Sequence, residues 1–235
     1  MRSGDATGRQ VWLAVETSTA TGSIAIWKDG LAIETTLRIQ GTHSERVLPA
    51  VDGALAATGT GPEDLTALVV GSGPGSFTGI RIAASMAKGW AMARATPLFA
   101  YPSLLAVAAG CGATGPVCAL FDARRGQVYA AVYQVSDAGV DQLLSPGAWR
   151  IEDLLVELER RDMRPIFAGE GALVHEGAIR DAVAEARILP QHLAVPRAAS
   201  LLWLRGVAPG LGHVARPESW EPIYVRDWKI EEESG

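Results

Sequence analysis

Apolar and polar positions along this chain fall into short blocks whose period changes in a regular order. Residues 11–15 (VWLAV) are a continuous apolar run of strand length, closed by the hydroxyl-rich stretch Glu16-Thr17-Ser18-Thr19-Ala20-Thr21-Gly22. Residues 23–28 and 31–39 read as two further strands, joined at Asp29-Gly30, a dipeptide that favours a tight hairpin. The opening is thus a three-stranded meander with an acid and several hydroxyls in its first turn. Residues 43–46 open a helix in which Ser44 can cap the free amides of the first turn. Val47, Leu48, Val51 and Leu55 share one face at helical spacing, and Gly59 and Gly61 end the run. A short turn at 62–64 leads to a buried strand at 67–70 and then to a longer helix at 78–95.

The pattern continues with a short strand at 97–100 and a short helix at 102–109. Residues 110–116 (GCGATGP) punctuate the chain, and after them the order restarts. Strands are expected at 117–122, 128–135 and 141–144, with turns at 124–126 and 137–139. An amphipathic helix at 151–161, a strand at 165–168 and the loop Gly169-Glu170-Gly171, opening on another helix, follow. Beyond residue 173 the chain is Ala-rich and helical, with a buried helix around Trp203 and Leu204, then a strand or extended arm at 221–226 and acidic residues at 231–233. Each half therefore begins with a meander and goes on to strand–helix units. That order predicts an α/β fold of tandem ribonuclease-H-like domains, the actin/Hsp70 (ASKHA) arrangement. The expected divisions are a disordered extension at 1–10, an N-terminal domain at 11–110, and a C-terminal domain with an acidic tail at 111–235.

The stretch 71–81 (GSGPGSFTGIR) stands between a strand and a helix and carries four glycines. No Gly-x4-Gly-Lys-Ser/Thr can be laid on it, and Thr78 occupies the place of the third glycine of a dinucleotide fingerprint. Two readings stand side by side. The loop is a sharp structural turn, glycine supplying positive φ; or its backbone N–H groups cradle an anion at the helix start. Arg81 bears on the choice, because a cation in the first helical turn opposes the helix dipole unless an anion is near. The candidates for an anion or nucleotide loop are Glu16, Thr17, Gly73, Gly75, Ser76, Thr78, Arg81 and Asp122. Glu16 and Asp122 each end the first strand of a half, where tandem ribonuclease-H-like units face each other across a cleft. The alternative is that each carboxylate caps a turn.

In the second helix Gly79, Ala83, Ala87, Ala91 and Ala95 recur every four residues and make a small-residue ridge that admits close approach of another element. Composition excludes several classes. Of 235 residues, 48% are hydrophobic and 20% charged, as in an ordinary globular protein, and the net charge is −5. Residues 1–110 carry 8 basic and 8 acidic side chains, and residues 111–235 carry 13 and 18, so neither half has the basic excess of an independent nucleic-acid binder. Two cysteines, Cys111 and Cys118, make neither a zinc spacing nor a disulfide framework. The polar N-terminus and the lack of a long apolar run point to the cytoplasm rather than a membrane. The four histidines (His43, His175, His192, His213) fit no catalytic signature.

Five stretches carry a resemblance: LAVETST (13–19), HSERVLP (43–49), SGPGSFTGIRIA (72–83), FDARRGQVYAAVY (121–133) and EPIYVR (221–226). Together they closely resemble the TsaB (YeaZ) family across residues 11–228. The resemblance implies a tandem ribonuclease-H-like fold and a part in making N6-threonylcarbamoyladenosine at position 37 of tRNAs that read codons starting with A. It implies a non-catalytic subunit that dimerises with a TsaD-type catalytic subunit, works with a TsaE-type ATPase, pairs with itself when alone and meets tRNA through the complex. It implies no tightly bound cofactor, with ATP or ADP contacted only in the complex. TsaD-like proteins hold a metal through two histidines four residues apart; the corresponding residues 101–107 (YPSLLAV) contain none. Glu16 stands where the family more commonly has aspartate. The family's dimer contact, carried onto helices 44–58 and 78–95, makes Val47, Val51, Gly79, Ala83, Ala87 and Ala91 the expected interface, with Ala87→Arg blocking pairing in a folded subunit. The competing readings are a stand-alone metallopeptidase-like hydrolase and a small ASKHA-type kinase.

Overall fold

The computed structural model describes residues 10–38 and 44–224. The expected N-terminal extension up to residue 9, His43, the side chain of Ser44, the end of the 221–226 arm and the acidic tail lie outside the described residues. The meander forms as β1 (Val11–Glu16), β2 (Thr21–Lys28) and β3 (Leu31–Arg38). After α1 (Ser44–Ala57) and a 3-10 turn at Pro62–Asp64 come β4 (Ala67–Gly71), α2 (Phe77–Arg94), β5 (Leu98–Tyr101) and α3 (Ser103–Gly110). β4 lies parallel to both β1 and β5, so the order across the sheet is β3-β2-β1-β4-β5.

The second half repeats this order. β6 (Val117–Arg124), β7 (Gln127–Ser136) and β8 (Gly139–Arg150) are a second meander, followed by α4 (Ile151–Arg160), β9 (Ile166–Ala168), α5 (Glu170–Val174) and α6 (Glu176–Ala182). The sheet reads β8-β7-β6-β9, with β9 parallel to β6. Where the first half has β5, the second has a single parallel bridge between Phe167 and Ile188, held by Phe167 N–H to Arg187 O (2.8 Å) and Leu189 N–H to Phe167 O (2.9 Å). Two sheets of one strand order make this the tandem ribonuclease-H-like, ASKHA-type α/β fold. β8 is far longer than the expected 141–144. It is an edge strand, so register shifts opposite Ala130–Tyr133 accommodate Pro146, and the loss of alternation hides the strand in the sequence.

A division at residue 110 with everything later in the second unit does not match the packing. After a 3-10 turn at Gln191–Leu193 the chain returns as α7 (Ala198–Val207), α8 (Pro209–Gly212) and β10 (His213–Val214). β10 pairs with β5 at the edge of the first sheet, and α7 lies on β1, β2 and β4. The first sheet supplies the caps that α7 lacks locally. Ser23 Oγ accepts from Ala198 N–H (3.0 Å), and Glu34 Oε1 accepts from Ala199 N–H (3.0 Å) and from Ser23 Oγ (2.9 Å). Arg197 pairs with the second oxygen of Glu34. Further along α7, the Arg205 guanidinium lies 5.0 Å from the Trp12 ring and 4.0 Å from the Phe99 ring.

Alternation along the strands explains the layers. Trp12, Ala14, Ala25, Ala67 and Val69 of the first sheet face Ala119, Phe121, Ala131 and Tyr133 of the second, with α3 and α7 between them. The alanines let those helices sit close. The opposite faces are bulkier: Leu13, Val15, Ile24, Leu68 and Val70 meet α1 and α2, while Cys118, Leu120 and Val132 meet α4.

This layering corrects the expected interface. Val47, Val51, Gly79, Ala83, Ala87 and Ala91 are all buried in the chain's own core, Ala87 at 0% exposure. The ridge admits a close neighbour, as read from its spacing, but that neighbour is the first sheet. Ala87→Arg would drive a guanidinium into a packed apolar layer, so it should cost more than ~3 kcal/mol and unfold the subunit. Circular dichroism melting checks this; a folded variant with parental Tm would contradict the packing.

Candidate functional site

The end of β1 and the glycine loop fold onto each other. The loop leaves β4 at Gly71, has a cis Gly73–Pro74 bond and enters α2, where Ser76 Oγ accepts from Gly79 N–H (3.3 Å). Two of its glycines are required by space and by backbone. Gly73 has φ 89° and Gly75 φ 146°, and a Cβ on Gly75 would overlap the Ser18 carbonyl. That carbonyl accepts from Ser76 N–H at 2.6 Å. Thr17 Oγ1 donates to Gly79 O (2.8 Å), and Ser72 N–H to Tyr101 O (2.8 Å). The donors of Ser72, Gly73, Ser76 and Gly79 are therefore taken by protein acceptors, which is the structural-turn reading of this loop.

Glu16 lies under the loop at 0% exposure. Its Oε1 accepts from Ser18 N–H (2.7 Å) and its Oε2 from Ser103 Oγ (2.9 Å), which in turn accepts from Gly73 N–H (3.2 Å). Gly71 has no room for a Cβ, which would overlap Glu16 Oε2. Burial pushes the Glu16 carboxyl above its ordinary range, and the bonds from Ser18 and Ser103 oppose that shift. Ser103 and Ser18 are the members that sequence reading missed. Ser103 sits in the first turn of α3, and nothing local shows that the fold brings it to Glu16.

Asp122 stands in a different setting. It is exposed, and its Oδ1 accepts from Arg124 N–H (3.0 Å), fixing a hairpin tip in which Arg124, Arg125 and Gly126 have φ of 67°, 54° and 75°. Near it, partial desolvation and then the Asp122 charge push the Glu170 carboxyl up. Gly169-Glu170-Gly171 presses on the end of β6 as the larger loop presses on β1; a Cβ on Gly171 would stand 2.9 Å from Phe121 C. Each half thus has a glycine elbow against its first strand. The structure brings Glu16, Thr17, Gly73, Gly75 and Ser76 into one cluster, while the expected pair of matched carboxylates resolves into one buried acid and one turn cap.

Thr78 and Arg81 lie outside that cluster. Both line a groove of about 590 Å3 between α1 and α2, with Leu48, Phe77, Ile82 and Met86. Leu48 and Phe77 are 52% and 59% exposed. The Arg81 guanidinium lies over the Phe77 ring, 4.9 Å from its centroid. Within residues 101–107 the Tyr101 hydroxyl donates to Ala208 O (3.1 Å) and the Ser103 hydroxyl to Glu16 Oε2. Burial pushes the Tyr101 phenol up to about 12.

A structural acid makes a pH prediction with a definite sign. The folded state binds the Glu16 proton more tightly than the unfolded chain does. Its contribution is full below the unfolded value of 4.5 and is lost as pH rises through the folded pKa. Glu16→Gln keeps an acceptor for Ser18 N–H and carries no charge, so its Tm relative to the parent should rise as pH is raised above the unfolded value. Glu16→Ala should cost ~2–4 kcal/mol by orphaning a buried N–H and leaving a cavity. Melting curves across that range check both; a Gln variant that is strongly destabilised at pH 8 would show that the charge itself is required.

Comparison with known proteins agrees with this architecture. A family model described as TsaD: tRNA N6-adenosine threonylcarbamoyltransferase matches residues 38–228. The chain is 36% identical over 171 residues to the tRNA threonylcarbamoyladenosine biosynthesis protein TsaB of Bacillus subtilis, covering 72% of this chain and 75% of that protein. With TsaB of Escherichia coli it shares 32% identity over 232 residues, 92% of this chain and 96% of that one. The solved structure of YeaZ from Pseudomonas aeruginosa superposes with a TM-score of 0.79 at 30% identity, covering 92% of this chain and 99% of the other. Near full-length matches to TsaB proteins, on a chain whose two sheets share one strand order, show that it belongs to the TsaB family.

Proposed function

We propose that this chain serves N6-threonylcarbamoyladenosine formation on tRNA as a non-catalytic subunit, pairing with a TsaD-type catalytic subunit through the exposed face of α1 and α2. Family membership supports the pathway. The observation that carries the pairing is the groove between these helices. Their inner faces are core, yet Leu48, Phe77, Ile82 and Met86 line an open apolar channel on the outer side. Burying about 800 Å2 per partner there would make an ordinary specific contact. The same face serves self-pairing when the catalytic subunit is absent. The TsaE-type ATPase, the tRNA and any ATP or ADP meet this chain within the complex.

The chemistry at the end of β1 supports the non-catalytic part of the reading. Both oxygens of Glu16 accept hydrogen bonds from the protein, and four amides of the glycine loop have protein acceptors. That weighs against the small-kinase reading, which needs an acid and a phosphate loop open to a nucleotide. The hydrolase reading needs an activated nucleophile or a metal; among the described residues no three His, Cys, Asp or Glu side chains converge. No helix among the described residues is long and apolar enough to cross a membrane. The cytoplasm, where Cys111 and Cys118 would stay the free buried thiols they are here, is the proposed location.

Leu48 and Ser85 are both exposed and both line the groove, so Leu48→Arg combined with Ser85→Arg places two cations on the open face without touching the core. The double variant should melt as the parent does, bind the TsaD-type subunit at least ~100-fold more weakly, about 2.7 kcal/mol, and fail to support tRNA modification in a reconstituted assay. Copurification with the TsaD-type subunit at parental strength would sink the pairing reading.

A further inference from the structure

The last described stretch, residues 215–224, does not return to a sheet. It crosses α2 and ends over the glycine loop. Trp220 O accepts from Lys88 Nζ (2.9 Å), and the Trp220 ring packs against the core shared by α1 and α2. Three residues on, Ile223 N–H donates to Ser72 O (2.7 Å). Here the arm and the loop touch closely: a Cβ on Gly73 would stand 3.0 Å from Ile223 O and 2.8 Å from Ile80 Cδ1. Beyond this second anchor, the Tyr224 ring lies 5.6 Å from that of Phe77, inclined by 46°. Phe77 is itself a wall of the α1/α2 groove.

Pinned at Trp220 and Ile223, the arm still leaves apolar surface in solvent. Ile223 is 36% exposed and Tyr224 42%, beside Phe77 at 59%. Through its ring contact with Phe77, Tyr224 joins the arm to the edge of the groove. A segment anchored by one main-chain hydrogen bond and one from a lysine side chain, presenting exposed aromatic surface in a fixed place, loses little freedom on binding. Aromatic side chains so placed are also the ones that dominate contact energies.

We infer that residues 220–224 are part of the pairing face, with Tyr224 as the positioning residue that holds Phe77 in place for the TsaD-type subunit. This rests on the pairing reading given above and adds a second element to it. The occupant is the catalytic subunit, because Tyr224 lies against Phe77, a wall of the groove assigned to it.

The test uses the full chain and the purified TsaD-type subunit, with calorimetry for affinity, melting for stability and sedimentation for self-association. Tyr224→Ala is expected to weaken binding at least ~10-fold with Tm unchanged, and Tyr224→Phe, which keeps the ring, to restore it. Because Tyr224 acts through Phe77, the Phe77→Ala/Tyr224→Ala double variant should lose little more than either single one. If Tyr224→Ala binds as the parent does while Leu48→Arg/Ser85→Arg does not bind, the arm is not part of the face and the pairing reading stands. If Leu48→Arg/Ser85→Arg also binds as the parent does, the pairing reading falls and takes the arm with it. A change confined to self-association would assign the arm to a second copy and overturn the inference. Additive losses in the double variant would overturn the positioning role of Tyr224.

Discussion

A carboxylate sealed under a glycine loop is the constraint on which the first half of the molecule depends. Glu16 has no contact with water, so its oxygens must find donors within the protein, and they find them in Ser18 N–H and Ser103 Oγ. Those two bonds tie the end of β1 to the start of α3. Ser103 passes the connection on to Gly73, and Ser18 O passes it on to Ser76. The glycines follow from this, since any side chain at Gly71 or Gly75 would occupy space already held by Glu16 or Ser18. The loop has the sequence of a ligand cradle, but the amides of Ser72, Gly73, Ser76 and Gly79 bind protein acceptors.

The duplication shows which features the fold requires and which it can drop. Both halves keep a meander, a parallel fourth strand and a glycine elbow against the first strand. The fifth strand shrinks to one bridge at Ile188 in the second half, and α7 returns to brace the first sheet. Glu34 and Ser23 cap that helix across a gap of well over a hundred residues, so the first unit is completed by the end of the chain. The arm that follows then lies along α2. α1 and α2 are thus core on their inner side and share a mostly apolar groove on the outer one, with the arm beside it.

Local pattern made most of this fold legible. The continuous run at 11–15, the Asp29-Gly30 hairpin and the amphipathic 151–161 stretch each carry their structure within a dozen residues, and the strands and helices formed close to the expected bounds. The recurrence of a meander in each half gave the architecture, because the duplicated order needs no long-range information. What stayed hidden was direction and return. A small-residue ridge at 79, 83, 87 and 91 states that something comes close, but not whether a sheet or another chain does so; in the fold Ala87 is buried against the first sheet. Glu16 reads as an open-site acid because one of its two partners, Ser103, is distant in sequence. The return of α7 is equally non-local, depending on Glu34 and on rings of Trp12 and Phe99 that gain their partner only once the chain has come back.

The central claim is that the glycine loop is closed by the protein's own groups, leaving the outer face of α1 and α2 to do the recognising. Hydrogen exchange on the free chain, with ATP alone and with the TsaD-type subunit tests this most directly. The amides of Ser72, Gly73, Ser76 and Gly79 should be strongly protected in the free chain and unchanged by ATP. The catalytic subunit should add protection to peptides of α1 and α2. Fast exchange of those four amides in the free chain, slowed by ATP alone, would contradict the account.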